Sequence, residues 1–141
     1  MSVDINLSLL IKIVGKNFDK CLNNRVSGLD LTSSQCKILG FLHLNDGKEV
    51  NPIDIEREFK LKKPTVTGLL KRLEEKGFIS LEHSSKDKRY KQIILTEKSR
   101  EHHELMKKNI LEVEEIMYKG ITEKDKEEMK RILQIIIKNT M

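Results

Sequence analysis

The sequence is poor in aromatic residues, which make up 4% of the chain, and it contains no tryptophan. Its two cysteines, Cys21 and Cys36, do not form a Cys-x-x-Cys pair and therefore indicate a reducing, cytoplasmic compartment. No run of roughly 18 apolar residues occurs, so we expect no membrane-spanning helix. The N-terminus has neither a basic segment nor a cleavable apolar core, so we do not expect secretion.

The motifs of common catalytic sites are also missing. The sequence has no Gly-x-Ser-x-Gly, no P-loop and no Gly-x-Gly-x-x-Gly. The adjacent residues His102 and His103 point to different sides of a helix, so they are poorly placed to share one metal ion. We therefore predict no enzymatic activity, no metal site and no cofactor.

Charged residues, in contrast, make up 35% of the 141 residues, and the net charge is +5. Between Lys60 and Lys91 there are ten basic and four acidic side chains, while the rest of the chain carries 17 basic and 18 acidic ones. This local surplus favours a surface that binds a polyanion. The length predicts one domain, or one domain with dimerisation extensions.

The basic segment begins with a predicted amphipathic helix over Lys62–Lys76. Its apolar residues are spaced i, i+3, i+4 and i+7, which places them on one face, and Gly77 is expected to end the helix. The apolar residues are Val66, Leu69, Leu70 and Leu73, and the opposite face carries Lys63, Thr65, Thr67, Lys71 and Arg72.

The start of this helix is unusual, because Lys62 or Lys63 occupies the N-cap, where Ser, Thr or Asp is preferred. A cation there also opposes the positive end of the helix dipole. Two explanations remain open. The lysines favour phosphate contact over local stability, or a poor cap is simply tolerated.

A basic hairpin follows the helix. Phe78, Ile79 and Leu81 begin a strand, residues 84–89 form a polar loop, and Tyr90–Leu95 form the return strand. A helix followed by a basic ribbon is what a DNA-reading winged helix needs. The helix can enter a major groove while the ribbon reaches the adjacent backbone or minor groove.

Further helices are predicted on both sides of this unit. A helix over Ile5–Leu22 has a broad apolar stripe and is expected to break at Asn23–Gly28. Thr32-x-x-Gln35 forms a capping box for a second helix, and Asn51-Pro52 opens a short third one. After Thr96 the chain is helical for about six turns, and Thr122 caps a last helix. The last two helices have no evident partner within the winged unit.

In their order and spacing, these motifs resemble the MarR family of bacterial and archaeal transcription regulators. The resemblance implies a mainly α fold with a small two- to three-stranded β-wing. It also implies a winged helix-turn-helix DNA-binding domain over residues 31–96 and dimerisation helices over 1–30 and 97–141. The resemblance is carried by Pro64–Leu70, Arg72–Ile79, Asp87–Arg89 and Leu95–Lys98, with Leu31–Gln35 and Gly120–Glu123 at the second and last helices.

Roles for individual residues follow. Thr65 and Thr67 are expected at base edges or phosphate, and the basic residues of the helix and the wing at phosphate. From the resemblance, Arg89 is the minor-groove arginine and Asp87 braces a basic side chain. Ser33 and Ser34 either hold a phosphate or only cap their helix. The predicted DNA-binding residues are Ser33, Ser34, Lys62, Lys63, Thr65, Thr67, Lys71, Arg72, Lys86, Lys88 and Arg89.

The surplus of amphipathic helix and the family resemblance both point to a homodimer. We predict a repressor that binds double-stranded DNA at a near-palindromic operator in its ligand-free form. The resemblance implies a small aromatic or phenolic ligand in a crevice lined by the first, second and fifth helices. The alternative is a winged-helix architectural or protein-interaction module. The predicted dimer interface consists of Leu9, Ile13, Met129, Ile132, Leu133 and Ile136.

The two cysteines also invite a redox interpretation, in which one of them senses an oxidant. Cys21 lies on the apolar stripe of the first helix, and Cys36 follows the capping box of the second. For Cys21, no local tyrosine or cationic partner that would stabilise a thiolate is evident, and Cys36 falls at an inner position beside the cap. We therefore predict that both are small buried hydrophobic side chains.

Overall fold

The structure, a computed structural model, describes residues 6–141. Those residues form six α-helices, a short 3-10 turn (Ser27–Leu29) and one two-stranded antiparallel sheet, so the predicted fold class is confirmed. Ile5, the predicted start of the first helix, lies outside the described residues. The helices are α1 (Leu7–Val26), α2 (Ser33–Leu44), α3 (Pro52–Phe59), α4 (Lys63–Glu75), α5 (Glu97–Met117) and α6 (Glu123–Asn139), and the strands are β1 (Ile79–His83) and β2 (Lys91–Leu95).

A single hydrophobic core is shared by the first five helices and the sheet. Phe78, which leads into β1, is fully buried at its centre. Leu22 of α1 and Met106 and Val113 of α5 belong to the same cluster. The expectation that α5 has no partner in the winged unit is therefore wrong, because α5 packs on both α1 and α2.

Helix α1 is longer than predicted. It continues through the polar residues 23–25 and ends at Val26, which is fully buried. The side chain of Asn23 accepts a hydrogen bond from the backbone N–H of Ser33 at 2.6 Å, and Arg25 forms an ion pair with Glu112 of α5. These tertiary contacts satisfy polar side chains that, in the sequence alone, indicate a helix end.

The helix starts follow their predicted caps. At α2, the N–H of Thr32 donates to Oε1 of Gln35 at 3.1 Å, and the N–H of Gln35 donates to Oγ1 of Thr32 at 3.3 Å. This is the predicted capping box. At α3, the carboxylate of Asp54 accepts the N–H of Asn51 at 2.8 Å. Lys60 then turns the chain through a left-handed conformation (φ 53°) into the start of α4.

The passage from α4 to β1 depends on Gly77, whose φ of +83° is a conformation that favours glycine. The N–H of Gly77 donates to the carbonyl of Glu74, and the N–H of Phe78 to that of Leu73, both at 3.0 Å. This is a Schellman motif, and it confirms the predicted helix stop. It directs the chain out of α4 straight into the wing.

The wing is the antiparallel pair β1–β2, in which Ile79 faces Leu95 and His83 faces Lys91. On the outer side of β2, the N–H of Ile93 donates to the carbonyl of Val50 at 2.8 Å. The loop before α3 therefore flanks the sheet as a third segment would. The base of the wing is attached to the helix-turn-helix at this point.

The last helix, α6, contains no buried residue. Thr122 and Asp125 form its capping box, with hydrogen bonds of 3.1 Å in both directions. Its apolar side chains are exposed, as are those of the first half of α1. Within residues 6–141, no helix is both long and apolar enough to cross a membrane.

Candidate nucleic-acid interface

Helix α4 is divided into an inner and an outer face. Val66, Leu70 and Leu73 are buried, with at most 2% of each residue exposed. The outer face presents hydroxylated and cationic side chains along most of its length, and two carboxylates, Glu74 and Glu75, are exposed in its last turn. The exposed hydroxylated and cationic side chains are those of Lys63, Thr65, Thr67, Lys71 and Arg72.

Lys62 is the N-cap residue of α4, with extended backbone angles (φ −80°, ψ 152°) and no side-chain hydrogen bond to the helix. Pro64, in the first turn, has no N–H, so the start of the helix has one fewer backbone donor that lacks an acceptor within the helix. The start of α4 therefore presents backbone N–H groups and two exposed ammonium groups, those of Lys62 and Lys63. That combination suits a phosphate better than it suits the stability of the helix.

The two threonines of α4 differ in what their hydroxyls can do. The hydroxyl of Thr67 donates to the carbonyl of Lys63, one turn earlier, at 2.9 Å. Its oxygen and methyl group still face outward, so Thr67 can accept a hydrogen bond or contact a thymine methyl. Thr65 is exposed, and its hydroxyl forms no hydrogen bond within the described part of the chain.

Of the two serines at the start of α2, only Ser34 is exposed. Ser33 is 2% exposed, and its hydroxyl donates to the carboxylate of Asp19 at 2.9 Å, while its N–H donates to Asn23. The prediction that Ser33 contacts DNA is therefore wrong. The serine is used to join α2 to α1, a partner that local sequence does not reveal.

The tip of the wing carries three exposed cations, Lys86, Lys88 and Arg89. The guanidinium of Arg89 lies against the carboxylate of Asp87, with an Nη2–Oδ2 distance of 2.8 Å and Nε–Oδ distances of 3.1 and 3.2 Å. The same carboxylate accepts the N–H of Arg89 at 3.0 Å.

Asp87 and Arg89 differ in exposure. The side chain of Arg89 is 83% exposed, whereas that of Asp87 is 33% exposed. The hydrogen bonds from Arg89 lower the pKa of Asp87, so the carboxylate stays ionised and keeps the arginine oriented. The carboxylate of Asp87 holds the Nε–Nη2 edge of the guanidinium and leaves the rest of the group exposed to solvent.

Nine of the ten basic side chains between Lys60 and Lys91 are exposed. Lys76 is the exception. Its ammonium donates to the carbonyl of Asp30 at 2.7 Å and to Oε1 of Gln35 at 3.0 Å, which ties the end of α4 to the start of α2. The charge count alone does not separate this structural lysine from the outward-facing ones.

Glu49, a residue without a sequence signal, also reaches the wing. It lies in the loop between α2 and α3, outside any periodic segment. Its carboxylate accepts hydrogen bonds from the hydroxyl groups of Ser84 and Ser85, at 2.8 and 3.0 Å. The base of the wing is thereby bound to the helix-turn-helix by side chains as well as by backbone.

The structure separates the two cysteines. Cys36 is fully buried, as predicted, and burial raises the pKa of its thiol to about 11. Cys21 is exposed, so the prediction that it is buried is wrong for the single chain. Cys21 lies outside the core cluster, on the side of α1 that faces α5 across an open cavity.

A cavity of about 690 Å³ opens between α1 and α5. Phe18, Val113 and Met117 supply part of its apolar lining, and Cys21 and Arg25 lie at its wall. The crevice expected from the sequence included α2, but its lining comes from α1 and α5. The cavity is large enough for a small aromatic molecule.

The histidines lie apart from this cavity. Within residues 6–141, no group of three or more His, Cys, Asp or Glu side chains is placed to hold a metal ion. His102 instead donates from Nδ1 to the carbonyl of Lys98 at 2.8 Å, and its ring meets that of Phe78 edge to face. Its neighbour His103 stacks on His43 of α2.

Comparison with known proteins agrees with this geometry. Residues 29–89, which hold α2, α3, α4 and most of the wing, match a model described as MarR family. The HTH-type transcriptional repressor YetL of Bacillus subtilis is 30% identical over 95 residues, which cover 67% of this chain and 56% of YetL. The matched part of the chain thus spans little more than half the length of that relative.

Two solved structures have the same fold over nearly the whole chain. The transcription regulator MarR from Oenococcus oeni PSU-1 superimposes with a TM-score of 0.84 at 29% identity, covering 94% of this chain and 99% of that one. The S. aureus MepR–DNA complex gives a TM-score of 0.90 at 24% identity, covering 99% and 100%, and at that identity it shows the fold alone. Residues 29–89 thus match the MarR family, and the chain as a whole has the winged-helix fold of the solved MarR regulator from Oenococcus oeni.

Proposed function

We propose that the protein is a homodimeric, sequence-specific regulator of transcription that represses nearby genes by binding double-stranded DNA. The observation that carries the proposal is the wing, where Arg89 is held by Asp87 yet remains 83% exposed. A fixed, outward arginine next to exposed lysines is suited to a groove of DNA. The repressor name of YetL supports the same conclusion.

In this proposal α4 enters the major groove and the tip of the wing reaches the neighbouring backbone or minor groove. The cations of α4 contact phosphate, and its threonines contact base edges or phosphate. Ser34, at the start of α2, is a further phosphate contact. The proposed contact residues are Ser34, Lys62, Lys63, Thr65, Thr67, Lys71, Arg72, Lys86, Lys88 and Arg89.

The dimer is proposed from the apolar side chains that one chain leaves exposed. Six of them, on α1 and α6, are 37–50% exposed, and α6 has no buried residue. An exposed apolar helix face of this kind marks an interaction site. The six residues are Leu9, Ile13, Met129, Ile132, Leu133 and Ile136. We assign residues 1–30 and 97–141 to the dimerisation part and 31–96 to the DNA-binding part.

Dimerisation sets the form of the operator. Two copies of α4 related by a two-fold axis read half-sites about one helical turn apart, roughly 34–36 Å, so the operator is a near-palindrome. The ligand-free dimer binds it. A small aromatic or phenolic compound in the cavity between α1 and α5 lowers the affinity, because that cavity adjoins the helices that hold the two copies together. The protein acts in the cytoplasm, where it meets its DNA.

The test is a titration of the purified protein against a labelled duplex from the promoter region of its own gene. A random duplex of equal length serves as the control, at about 150 mM salt, since affinities depend steeply on salt. We expect a clear preference for the promoter duplex, and release of that duplex when a phenolic acid is added. Equal affinity for both duplexes would contradict the proposal and favour an architectural or protein-interaction module.

A further inference from the structure

The loop between α2 and α3 is attached to the wing by a network that centres on Glu49. Oε1 of Glu49 accepts the N–H of Ser85 at 3.1 Å and its hydroxyl at 3.0 Å, and Oε2 accepts the hydroxyl of Ser84 at 2.8 Å. One carboxylate thus receives three hydrogen bonds from the two residues that follow β1. It lies beside Val50, whose carbonyl accepts the N–H of Ile93 in β2.

Ser84 extends this network into the tip of the wing. The residue is 5% exposed, and its N–H donates to the carbonyl of Tyr90 at 2.9 Å, which closes the hairpin. Its hydroxyl oxygen accepts the N–H groups of Lys86 and Asp87, at 3.2 and 3.4 Å. The hydroxyl of Ser84 therefore donates to Glu49 in the loop before α3 and accepts from the backbone N–H groups of Lys86 and Asp87 at the tip of the wing.

The network ends at the groove arginine. The backbone of Asp87 is held by Ser84, and the carboxylate of Asp87 holds the guanidinium of Arg89. A continuous chain of hydrogen bonds thus runs from Glu49 through Ser84 and Asp87 to Arg89.

Glu49 does not act through an ion pair. The described residues form seven ion pairs, and none includes it. Its partners are hydroxyl and N–H donors, and the hydrogen bond from Ser84 is the main cause that lowers its pKa. An unpaired carboxylate close to a DNA-binding wing repels phosphate, so its presence there needs a structural reason.

We propose that Glu49 is a positioning residue for DNA recognition, which sets the conformation of the wing tip through Ser84 and so fixes where Arg89 meets the DNA. The inference rests on the proposed DNA-binding function and assigns a part of it to the loop before α3. The carboxylate orders the Ser84–Arg89 turn before DNA arrives. Arg89 then enters the groove without a further cost of ordering that turn.

The test uses Glu49→Gln, which keeps the size of the side chain and removes its charge. Bulk electrostatics predicts tighter binding, because one negative charge is lost from a protein that binds a polyanion. The proposal predicts the opposite, a roughly 5- to 50-fold weaker affinity for the promoter duplex, since the loss is bounded by the groove contact of Arg89. Glu104→Gln, an exposed residue of α5, makes the same change of charge away from the wing and serves as the control.

Coupling to Arg89 separates positioning from general damage. In the wild type, we expect Arg89→Ala to weaken specific binding roughly 5- to 150-fold. In the Glu49→Gln background the same change should cost less than about threefold, because the arginine is already misplaced. Lys71→Ala, on α4, should cost the same in both backgrounds. Ser84→Ala should reproduce the pattern of Glu49→Gln, and thermal unfolding should show each variant folded.

Three results would overturn the inference. The first is unchanged or tighter binding by Glu49→Gln, and the second is a cost of Arg89→Ala that is equal in both backgrounds. The third is an equal reduction in the costs of Arg89→Ala and Lys71→Ala, which would mean general destabilisation. A wild type without preference for the promoter duplex would refute the proposed function itself. That failure is seen before any variant is made.

Discussion

The imidazole rings of His43 and His103 stack across the junction of α2 and α5, with ring centroids 3.9 Å apart and an angle of 20° between planes. Nε2 of His43 is 2.9 Å from the hydroxyl of Ser99, so this ring is held on a second side. Two positive charges at this distance would repel each other in a half-buried site. The junction between the winged unit and α5 therefore disfavours protonation of His43.

This stack predicts a loss of stability in acid. Burial, and then the ring of His103, lower the pKa of His43 from 6.5 to about 4, with Arg100 adding to that effect and Asp46 opposing it. The unfolded chain takes up the proton first, so the stabilisation is complete above pH 6.5 and is lost as the pH falls towards 4. We expect a loss of about 1–2 kcal/mol, less than the full shift implies because the ring is half exposed.

The measurement is urea unfolding at pH 7 and pH 5 for the wild type and for His43→Gln. The variant does not titrate at this position, so its free energy of unfolding should fall less between the two pH values. Groups away from this junction, such as Asp87, contribute equally to both proteins and cancel in the difference. Identical pH dependence in both proteins would show that His43 is not the group responsible.

The wing predicts a difference between two neighbouring cations. Arg89→Ala should weaken specific binding by about 1–3 kcal/mol, because a groove contact and a charge are both lost. Lys88→Ala should lower affinity for all sequences alike and reduce the slope of log affinity against log salt by about one. Titrations over a range of salt concentrations, with the promoter duplex and a random duplex, distinguish these effects. Equal behaviour of the two variants would mean that the wing supplies only bulk charge.

The uncapped start of α4 predicts that stability and DNA affinity change in opposite directions. In Lys62→Ser, the new hydroxyl can accept a free N–H of the first turn, which should stabilise the protein by about 0.5–1 kcal/mol. If Lys62 contacts phosphate, affinity for any duplex should fall and the salt slope should decrease by about one. Lys108→Ser, on the exposed side of α5, controls for the loss of one charge. Higher stability with unchanged affinity would show that the poor cap is merely tolerated.

The exposed stripe of α6 predicts that a single charge abolishes dimerisation. Ile136→Asp places an unpaired carboxylate in the proposed interface, which should cost several kcal/mol of association free energy. Ile136 belongs to no part of the buried core, so the winged unit should stay folded. Promoter affinity should fall more than for any wing variant, since the second half-site loses its high effective concentration.

Sedimentation at micromolar concentration and circular dichroism together test this prediction. Gln134→Asp adds the same charge on roughly the opposite side of α6 and should leave the dimer intact. If the wild type itself sediments as a monomer and still binds the promoter duplex tightly, the proposed dimer is wrong.

The parts of the fold that local chemistry decides were predictable from the sequence. Thr32 and Gln35 form their capping box, Gly77 ends α4, and the hairpin pairs as expected. Each of these depends on residues within a few positions of one another. The division of α4 into an apolar and a polar face follows from helical spacing in the same way.

The errors concern contacts between distant parts of the chain. Asn23 and Arg25 indicate a helix end until their partners on α2 and α5 are known. Ser33 is a cap-like serine that turns out to be buried against Asp19, 14 residues earlier. Glu49 reaches a serine 35 residues later. Such hydrogen bonds leave no periodic signal in the sequence, because a single polar residue can bond to many different partners and its neighbours in sequence do not show which one it meets.

Because α6 has no buried residue, little within a single chain stabilises this helix. A 17-residue helix that has no buried residue is marginal in water. Its capping box contributes about 0.5–1 kcal/mol, and its i, i+3 ion pairs, Glu123–Lys126 and Glu128–Arg131, add only a few tenths of a kcal/mol each. If the proposed dimer forms through the apolar face of α6, the helix frays in a dilute chain and packs on association. The amount of intact protein then rises more steeply than its synthesis.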